Sequence, residues 1–183
     1  MTEIEREFHA PQSMTPENLG DDLARLVWES FSDFVSDGDP QSALGGIGLV
    51  DAEGEPDQSA IEEALIFIMW AHTRGVQQAF VGRSPAELLK ESLDTLHRAV
   101  FEDMVENGTP RSQIPFFEQR VSARYAEYHG ASATSDTTLG EAVARNLSGM
   151  NDPDDTLKVV IAERAIEVAA PLKDYLEDVT LVN

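Results

Sequence analysis

Apolar side chains recur along most of this chain at intervals of three and four residues, with polar residues between them. This is the period of an α-helix that buries one side. The first such segment has seven apolar positions on one face: Leu19, Leu23, Leu26, Val27, Phe31, Phe34 and Val35. It stops at the sequence DGDP (37–40), which a helix does not continue through. We therefore predict a first helix that ends at this sequence.

Five more segments repeat the helical period. The predicted helices cover about residues 58–81, 85–107, 114–129, 138–148 and a long segment after residue 153. The second of the six helices is apolar on nearly all sides around its LIFIMWA sequence, so we expect it at the centre of the fold. Ser59, Ser84 and Thr138 each stand three residues before a glutamate, which is the capping-box pattern of a helix start.

Single glycines and prolines inside these segments predict local features. Gly75 lies within the second helix at a cost of about 1 kcal/mol relative to alanine, so we expect a close helix crossing or a bend there. Gly130 is expected to end the fourth helix. Pro171 lies inside the sixth helix and is expected to kink or divide it near Val168.

Two segments lack any helical period. Residues 1–16 are polar and contain two prolines, so we expect a flexible N-terminal arm. Residues 37–57 hold five glycines, two prolines and many acids, which predicts a long acidic loop between the first two helices. No segment shows a convincing strand pattern. The sequence therefore predicts an all-α fold, a single domain over 17–183 built as an irregular bundle of about six helices.

Charge restricts the partners that this chain can have. It carries 34 acidic and 13 basic residues, a formal net charge of -21. Such a surface repels phosphate backbones and anionic lipid headgroups, so we expect neither nucleic acid nor membrane as a partner. The acidity is explained either by halophilic adaptation to a salt-rich cytoplasm or by an acidic docking face for a cationic partner. Mimicry of DNA is disfavoured because the acids are spread along the chain.

The absence of cysteine excludes several kinds of chemistry. Disulfides, thiolate metal sites, iron–sulfur clusters and cysteine nucleophiles all require a residue that this chain lacks. The longest uninterrupted apolar stretch, residues 64–71, is far shorter than the roughly 20 residues of a membrane-spanning helix. The first residues carry acidic charges and no apolar run typical of a signal peptide. We therefore expect a cytoplasmic protein.

Two histidines and one aspartate form the first candidate site. Asp94 and His97 stand three residues apart, which places them on one face of the third helix. His72 on the second helix is in line with buried positions of that helix and can supply a third ligand. Together His72, Asp94 and His97 predict a site for a divalent transition metal. The alternative is that both histidines lie at the edge of the core with local hydrogen bonds, and that Asp94 pairs with His97.

The second candidate site is a basic cluster in this very acidic chain. Arg120 and Arg124 lie one helical turn apart beside Tyr128. Guanidinium groups bind carboxylates and phosphates in a planar, two-point geometry, so Arg120, Arg124 and Tyr128 predict a site for a small anion. The alternative is that both arginines pair with acidic neighbours such as Glu127, or with another helix, and stabilise the bundle.

The remaining sequence contains no motif of a known chemistry. The GGIG sequence at 45–48 lacks the lysine and the preceding strand of a phosphate-binding loop, and no serine has the surroundings of a nucleophile elbow. We predict no catalytic residue and no resident cofactor. The leading hypothesis is a non-enzymatic protein that acts through protein contacts, as a homodimer, another homo-oligomer or with an unidentified protein partner. The alternatives are a metal-dependent helical enzyme or sensor, and a small-anion binding protein.

Overall fold

Six α-helices account for most of the described chain. The computed structural model describes residues 12–36 and 57–183, and the long acidic loop predicted between the first two helices lies outside these residues. The helices are α1 (Pro16–Ser36), α2 (Gln58–Phe80), α3 (Ala86–Glu106), α4 (Ile114–Thr134), α5 (Asp136–Ser148) and α6 (Asp155–Leu176). A short 3-10 turn, Arg111–Gln113, precedes α4. The prediction of an all-α bundle of about six helices is confirmed.

Helix α2 is the centre of the bundle, as its sequence predicts. Every side chain from residue 63 to residue 73 is buried, and α2 contacts α1, α4, α5 and α6. A helix that is apolar on all sides requires such surroundings, since any face left in water loses the free energy of burial. The other helices are amphipathic and cover it.

Helix α1 is held in place mainly by α3. A Cβ added to Gly20 would lie 2.5 Å from Thr95 Cβ, so the absence of a side chain lets the two helices meet closely. About two turns further along α1, Trp28 Nε1 donates a hydrogen bond to Asp103 Oδ2 at 2.7 Å. These contacts hold α1 against α3, while Arg164 of α6 lies 5.8 Å from the ring centre of Phe34 on α1.

Helix α6 lies on the opposite flank of α2. A Cβ on Gly75 would lie 3.3 Å from Ala169 Cα and 3.0 Å from Leu172 Cδ2. The close helix crossing predicted from Gly75 is therefore present. Helix α6 runs without interruption through Pro171, where the sequence predicts a kink or division. Pro171 and Glu167 are both exposed, so the carbonyl group that loses its hydrogen-bond donor remains open to water.

Arg83 stabilises the end of α6. Its guanidinium group donates to the carbonyl oxygens of Leu176 at 2.8 Å and Glu177 at 2.6 Å, and it lies 5.0 Å from the ring centre of Phe80. The last carbonyls of a helix have no partner within the helix, and they attract positive charge. One arginine after α2 therefore fixes the position of the C-terminal turn of α6.

The first described segment and the C-terminal segment pair in a short two-stranded parallel sheet. Strand β1 (Gln12–Met14) pairs with β2 (Val179–Leu181), with Met14 opposite Leu181, and both of these side chains are buried. Residues 12–16 are predicted to belong to a flexible arm, but they form β1 and the start of α1; residues 1–11 lie outside the described part. Three-residue strands are too short to show the alternation that predicts a strand.

Helix starts are predicted more accurately than the residues that cap them. The capping oxygens come from Asp57, which accepts from the Ser59 and Ala60 amides, and from Ser135, which accepts from the Thr138 amide. The capping-box pattern predicts Ser59 and Thr138 in these roles. Helix α4 also continues past Gly130 to Thr134, because Gly130 does not adopt the positive φ of a helix-ending glycine.

Candidate functional site

A groove of about 420 Å³ lies between α1 and α6, and α2 forms its floor. The residues lining it from α1 and α2 are Asp22, Arg25, Leu26, Ser30, Asp33 and His72. Those from α6 are Arg164, Glu167, Val168, Pro171, Leu172 and Tyr175. A volume of this size is typical of sites that bind small molecules or anchor side chains of a partner.

The groove is elongated along the two helices that form its walls. Its lining positions recur every three or four residues from Asp22 to Asp33 on α1, and from Arg164 to Tyr175 on α6. At 1.5 Å per residue, each wall is about 17 Å long, or three helical turns. Leu26, Val168 and Leu172 give the interior its apolar surface.

Carboxylates outnumber guanidinium groups along the rim of the groove. Arg25 lies 3.7 Å from Asp22 and 3.6 Å from Glu29, and Arg164 lies 3.6 Å from Glu167. Asp33 adds a further exposed acid to the α1 wall. Both arginines therefore have acidic neighbours, and the rim keeps a net negative charge.

His72 is the buried polar residue of the groove. It is 3% exposed, and its Nδ1 lies 2.8 Å from the carbonyl oxygen of Ile68. Because a carbonyl only accepts, Nδ1 carries the proton and Nε2 is left as an acceptor. Burial lowers the pKa of His72, and the bond to Ile68 opposes this only in part. His72 is thus a neutral imidazole with one acceptor nitrogen in an apolar floor.

The structure brings together only two of the three predicted metal ligands. Asp94 and His97 line a shallow groove bounded by α3 and the start of α4, whereas His72 lines the groove between α1 and α6. Across residues 12–36 and 57–183, no three His, Cys, Asp or Glu side chains are grouped so that they could hold a metal ion. The metal site stays a prediction from sequence.

Asp94 and His97 have other partners in the structure. Lys90 Nζ donates to Asp94 Oδ2 at 2.6 Å on the exposed side of α3. His97 Nδ1 lies 2.6 Å from the carbonyl oxygen of Leu93, and its Nε2 lies 2.7 Å from the hydroxyl of Tyr125. With Nδ1 protonated, Nε2 accepts from Tyr125, so a metal at His97 would have to displace that hydroxyl.

The predicted anion site is bonded to two adjacent glutamates of α2. Arg120 donates to Glu62 and, at 2.9 Å, to Glu63. Arg124 donates to both carboxylate oxygens of Glu63, from Nε at 2.9 Å and from Nη2 at 2.8 Å. The side chain of Glu63 is 4% exposed, so these bonds supply the partners that a buried carboxylate requires.

Tyr128 lies deeper than the two arginines. It is fully buried, and its hydroxyl accepts from Asn146 Nδ2 at 3.2 Å; burial also raises its pKa. Arg124 has a raised pKa, first because it donates to Glu63. An added anion would have to compete with Glu63 for both arginines. Binding of a ligand by Arg120, Arg124 and Tyr128 stays a prediction, and their contacts tie α4 to α2.

The groove is not predicted from the sequence, and His72 is the one groove residue that the sequence marks as a candidate site residue. The period of α1 and α6 identifies Leu26, Val168 and Leu172 as inward-facing, but it does not say which helices are neighbours. Helices α1 and α6 are separated by most of the chain, and they become walls of one groove only because both pack on α2. No sequence signal marks Tyr175, whose large aromatic side chain is 50% exposed in the structure.

No protein-family model, curated protein or solved structure matches the chain. None of the described helices is both long enough and apolar enough to cross a membrane.

Proposed function

We propose that this chain is a binding module whose α1–α6 groove receives a basic amphipathic helix of a partner protein. The observation that carries the proposal is the groove itself, which has an apolar interior and a net acidic rim. A helix that buries an apolar stripe in a groove is a recurring mode of peptide recognition. The leading hypothesis from sequence is action through protein contacts, and in this proposal the groove is the surface that makes them.

The dimensions of the groove fit such a segment. Walls of about 17 Å accommodate about 11 residues of helix, enough for apolar side chains at three successive turns of one face. That stripe would pack against Leu26, Val168 and Leu172. The side chain of Tyr175 at the rim supplies an exposed aromatic contact.

Charge selects a basic segment over an acidic one. The rim has more negative than positive charges. The positive charges are two arginines, and the negative charges at or beside the rim are the carboxylates of Asp22, Glu29, Asp33 and Glu167. The whole chain, at a net charge of -21, attracts cationic partners and accelerates their encounter. Because rim charges are exposed to solvent, the affinity should fall as salt rises, while the apolar contribution persists.

The test uses a Leu/Lys amphipathic helical peptide of about three to four turns as a probe. Binding is measured by calorimetry to the full chain and to two variants on α6, Tyr175→Glu in the groove and Ile166→Glu outside it. The two side chains are 50% and 53% exposed, so neither substitution disturbs the core. Both variants add one negative charge. Non-specific attraction of the basic peptide is therefore the same in the two variants and at least as strong as in the unmodified chain.

The proposal expects Tyr175→Glu to weaken binding about tenfold, because a charge would replace an aromatic contact at an apolar surface. Ile166→Glu should bind as the unmodified chain does. Equal affinity in all three proteins would mean that the peptide binds through net charge alone, and the groove would lose its role. The charge-inverted Leu/Glu peptide is the second control and should not bind.

Three expectations from composition accompany this proposal. Self-association as a homodimer or larger homo-oligomer is supported by large apolar side chains exposed outside the groove, including Phe116 and Val159. A cytoplasmic location and adaptation to salt fit the acidity and the lack of cysteine. Sedimentation in low and in molar salt tests self-association, because screening should favour contacts between copies of so acidic a chain.

A further inference from the structure

The floor of the groove contains a hydrogen-bond acceptor, the Nε2 atom of His72. His72 presents Nε2 as an acceptor, since its Nδ1 donates to Ile68. Among the described residues, Thr73 Oγ1 is the one fully buried side-chain N or O atom that has no hydrogen-bond partner. His72 Nε2 also has no partner there, so it is not fully buried and remains accessible. Because His72 lines the groove and its Nδ1 is already bonded, Nε2 is the ring nitrogen that a ligand in the groove can reach.

An occupant without a donor at this position would be penalised. Covering Nε2 with apolar atoms removes its water and leaves a buried acceptor unsatisfied, which costs more than a single hydrogen bond gains. The occupant must therefore place one donor at the floor among apolar atoms. Burial keeps the imidazole uncharged and so keeps it an acceptor.

The chemistry of the floor selects the kind of donor. A lysine ammonium would lose its hydration beside Leu26, Val168 and Leu172, while the carboxylates that could compensate it stand at the rim. A serine hydroxyl is small and leaves the apolar surface uncovered. An indole has a single N–H donor and no acceptor on a large apolar ring, and it fills such a pocket as an anchor.

We propose that the groove recognises a tryptophan at the centre of the partner's apolar stripe, whose indole N–H donates to His72 Nε2. This inference depends on the proposed function, because it specifies the residue at the middle of the same basic helix. The basic residues then contact the rim, and the indole contacts the floor. Charge gives attraction and His72 gives selectivity for the donor.

The test compares two Leu/Lys peptides that differ in one methyl group. One carries a central tryptophan, and the other carries 1-methyltryptophan, which retains the ring and the peptide charge but lacks the N–H. We expect the tryptophan peptide to bind the unmodified chain about fivefold more tightly. His72→Phe, which keeps a ring and removes the acceptor, should bind both peptides equally.

Each outcome separates this inference from the proposed function. If both peptides bind equally and Tyr175→Glu still weakens them, the groove binds helices but His72 does not select a donor, and the inference falls. If the preference persists in His72→Phe, the N–H donates elsewhere and the inference falls. If neither peptide binds, the proposed function falls with it.

A second readout covers the case in which His72→Phe does not fold. The ¹⁵N chemical shift of His72 Nε2 in the unmodified chain reports whether this nitrogen accepts a hydrogen bond. It should move when the tryptophan peptide is added and stay nearly constant with the 1-methyltryptophan peptide. An identical response to both peptides would overturn the inference.

Discussion

Arg124 holds the carboxylate of Glu63 by two parallel hydrogen bonds, from Nε to Oε2 at 2.9 Å and from Nη2 to Oε1 at 2.8 Å. This pair joins α4 to the central helix, and Arg120 adds a third donor to the same carboxylate. A buried carboxylate that loses a partner keeps its desolvation cost. The pair therefore stabilises the contact between the two helices, and its removal should lower the free energy of unfolding.

We predict that Arg124→Gln lowers the free energy of unfolding by about 2 kcal/mol, because Glu63 would retain only part of its compensation from Arg120. Urea denaturation measures the change. The matched control is Arg25→Gln, which removes an exposed arginine whose ion pairs on α1 should contribute less than about 1 kcal/mol. Equal losses in both variants would contradict a structural role for the pair.

The same variant tests the alternative of an anion site. If Arg120, Arg124 and Tyr128 bind a small anion, phosphate or citrate should raise the melting temperature of the unmodified chain but not that of Arg124→Gln. The contacts with Glu62 and Glu63 lead us to expect no such difference. A stabilisation that depends on Arg124 would restore the anion hypothesis.

A second prediction concerns Arg83, which donates to the last carbonyl groups of α6. Arg83→Gln should lower the free energy of unfolding by about 1–2 kcal/mol, because the carbonyls of Leu176 and Glu177 lose a charged donor near the helix end. Thermal unfolding measures the loss. Arg98→Gln is the control, since Arg98 bonds only to Thr95 on its own helix in the described part of the chain; a larger loss there would contradict the assignment.

The sequence predicts the helices but not which side chains meet across helices, for a physical reason. The helical period depends on near neighbours, so α1, α2 and α3 can be located from spacing alone. Pairing of Arg120 and Arg124 with acidic side chains is one of the two interpretations that the sequence allows for this cluster, the other being an anion site. Glu63 was not identified, because it stands beside Glu62 at a helix start where acids are common. The partners and the groove depend on which helices meet, and the spacing does not contain that information.

A third prediction concerns the pH dependence of stability through His97. Burial lowers the pKa of His97 below its ordinary value of 6.5, with the bond to Leu93 and the charge of Asp94 opposing. The unfolded chain therefore binds a proton that the folded chain excludes. The stability due to neutral His97 is present above pH 6.5 and is lost as the pH falls below it.

The difference in unfolding free energy between the unmodified chain and His97→Phe isolates this effect from the many carboxylates. It should shrink as the pH falls below 6.5. The charged residues that line the same groove as His97 are Asp94, Arg98, Glu102, Arg111 and Glu118, and they are present in both proteins. A difference that is constant with pH, or that grows in acid, would contradict a buried neutral imidazole.

A fourth prediction concerns the metal hypothesis. Elemental analysis of protein purified without tags or chelators, in molar salt, should find no stoichiometric transition metal, because His97 is bonded at both ring nitrogens and His72 lies in another groove. One equivalent of a metal that is lost in an Asp94→Ala, His97→Ala double variant would favour the enzyme or sensor hypothesis. Molar salt limits adventitious binding to the acidic surface.

The central claim is that the groove between α1 and α6 is the binding surface. The most direct measurement is NMR of isotope-labelled protein titrated with the Leu/Lys peptide in molar salt, where attraction by net charge is screened. The account predicts saturable shift changes confined to the walls and floor of the groove, among them Leu26, His72, Val168 and Tyr175. Changes that are spread over the acidic surface, or that cluster elsewhere, would contradict it.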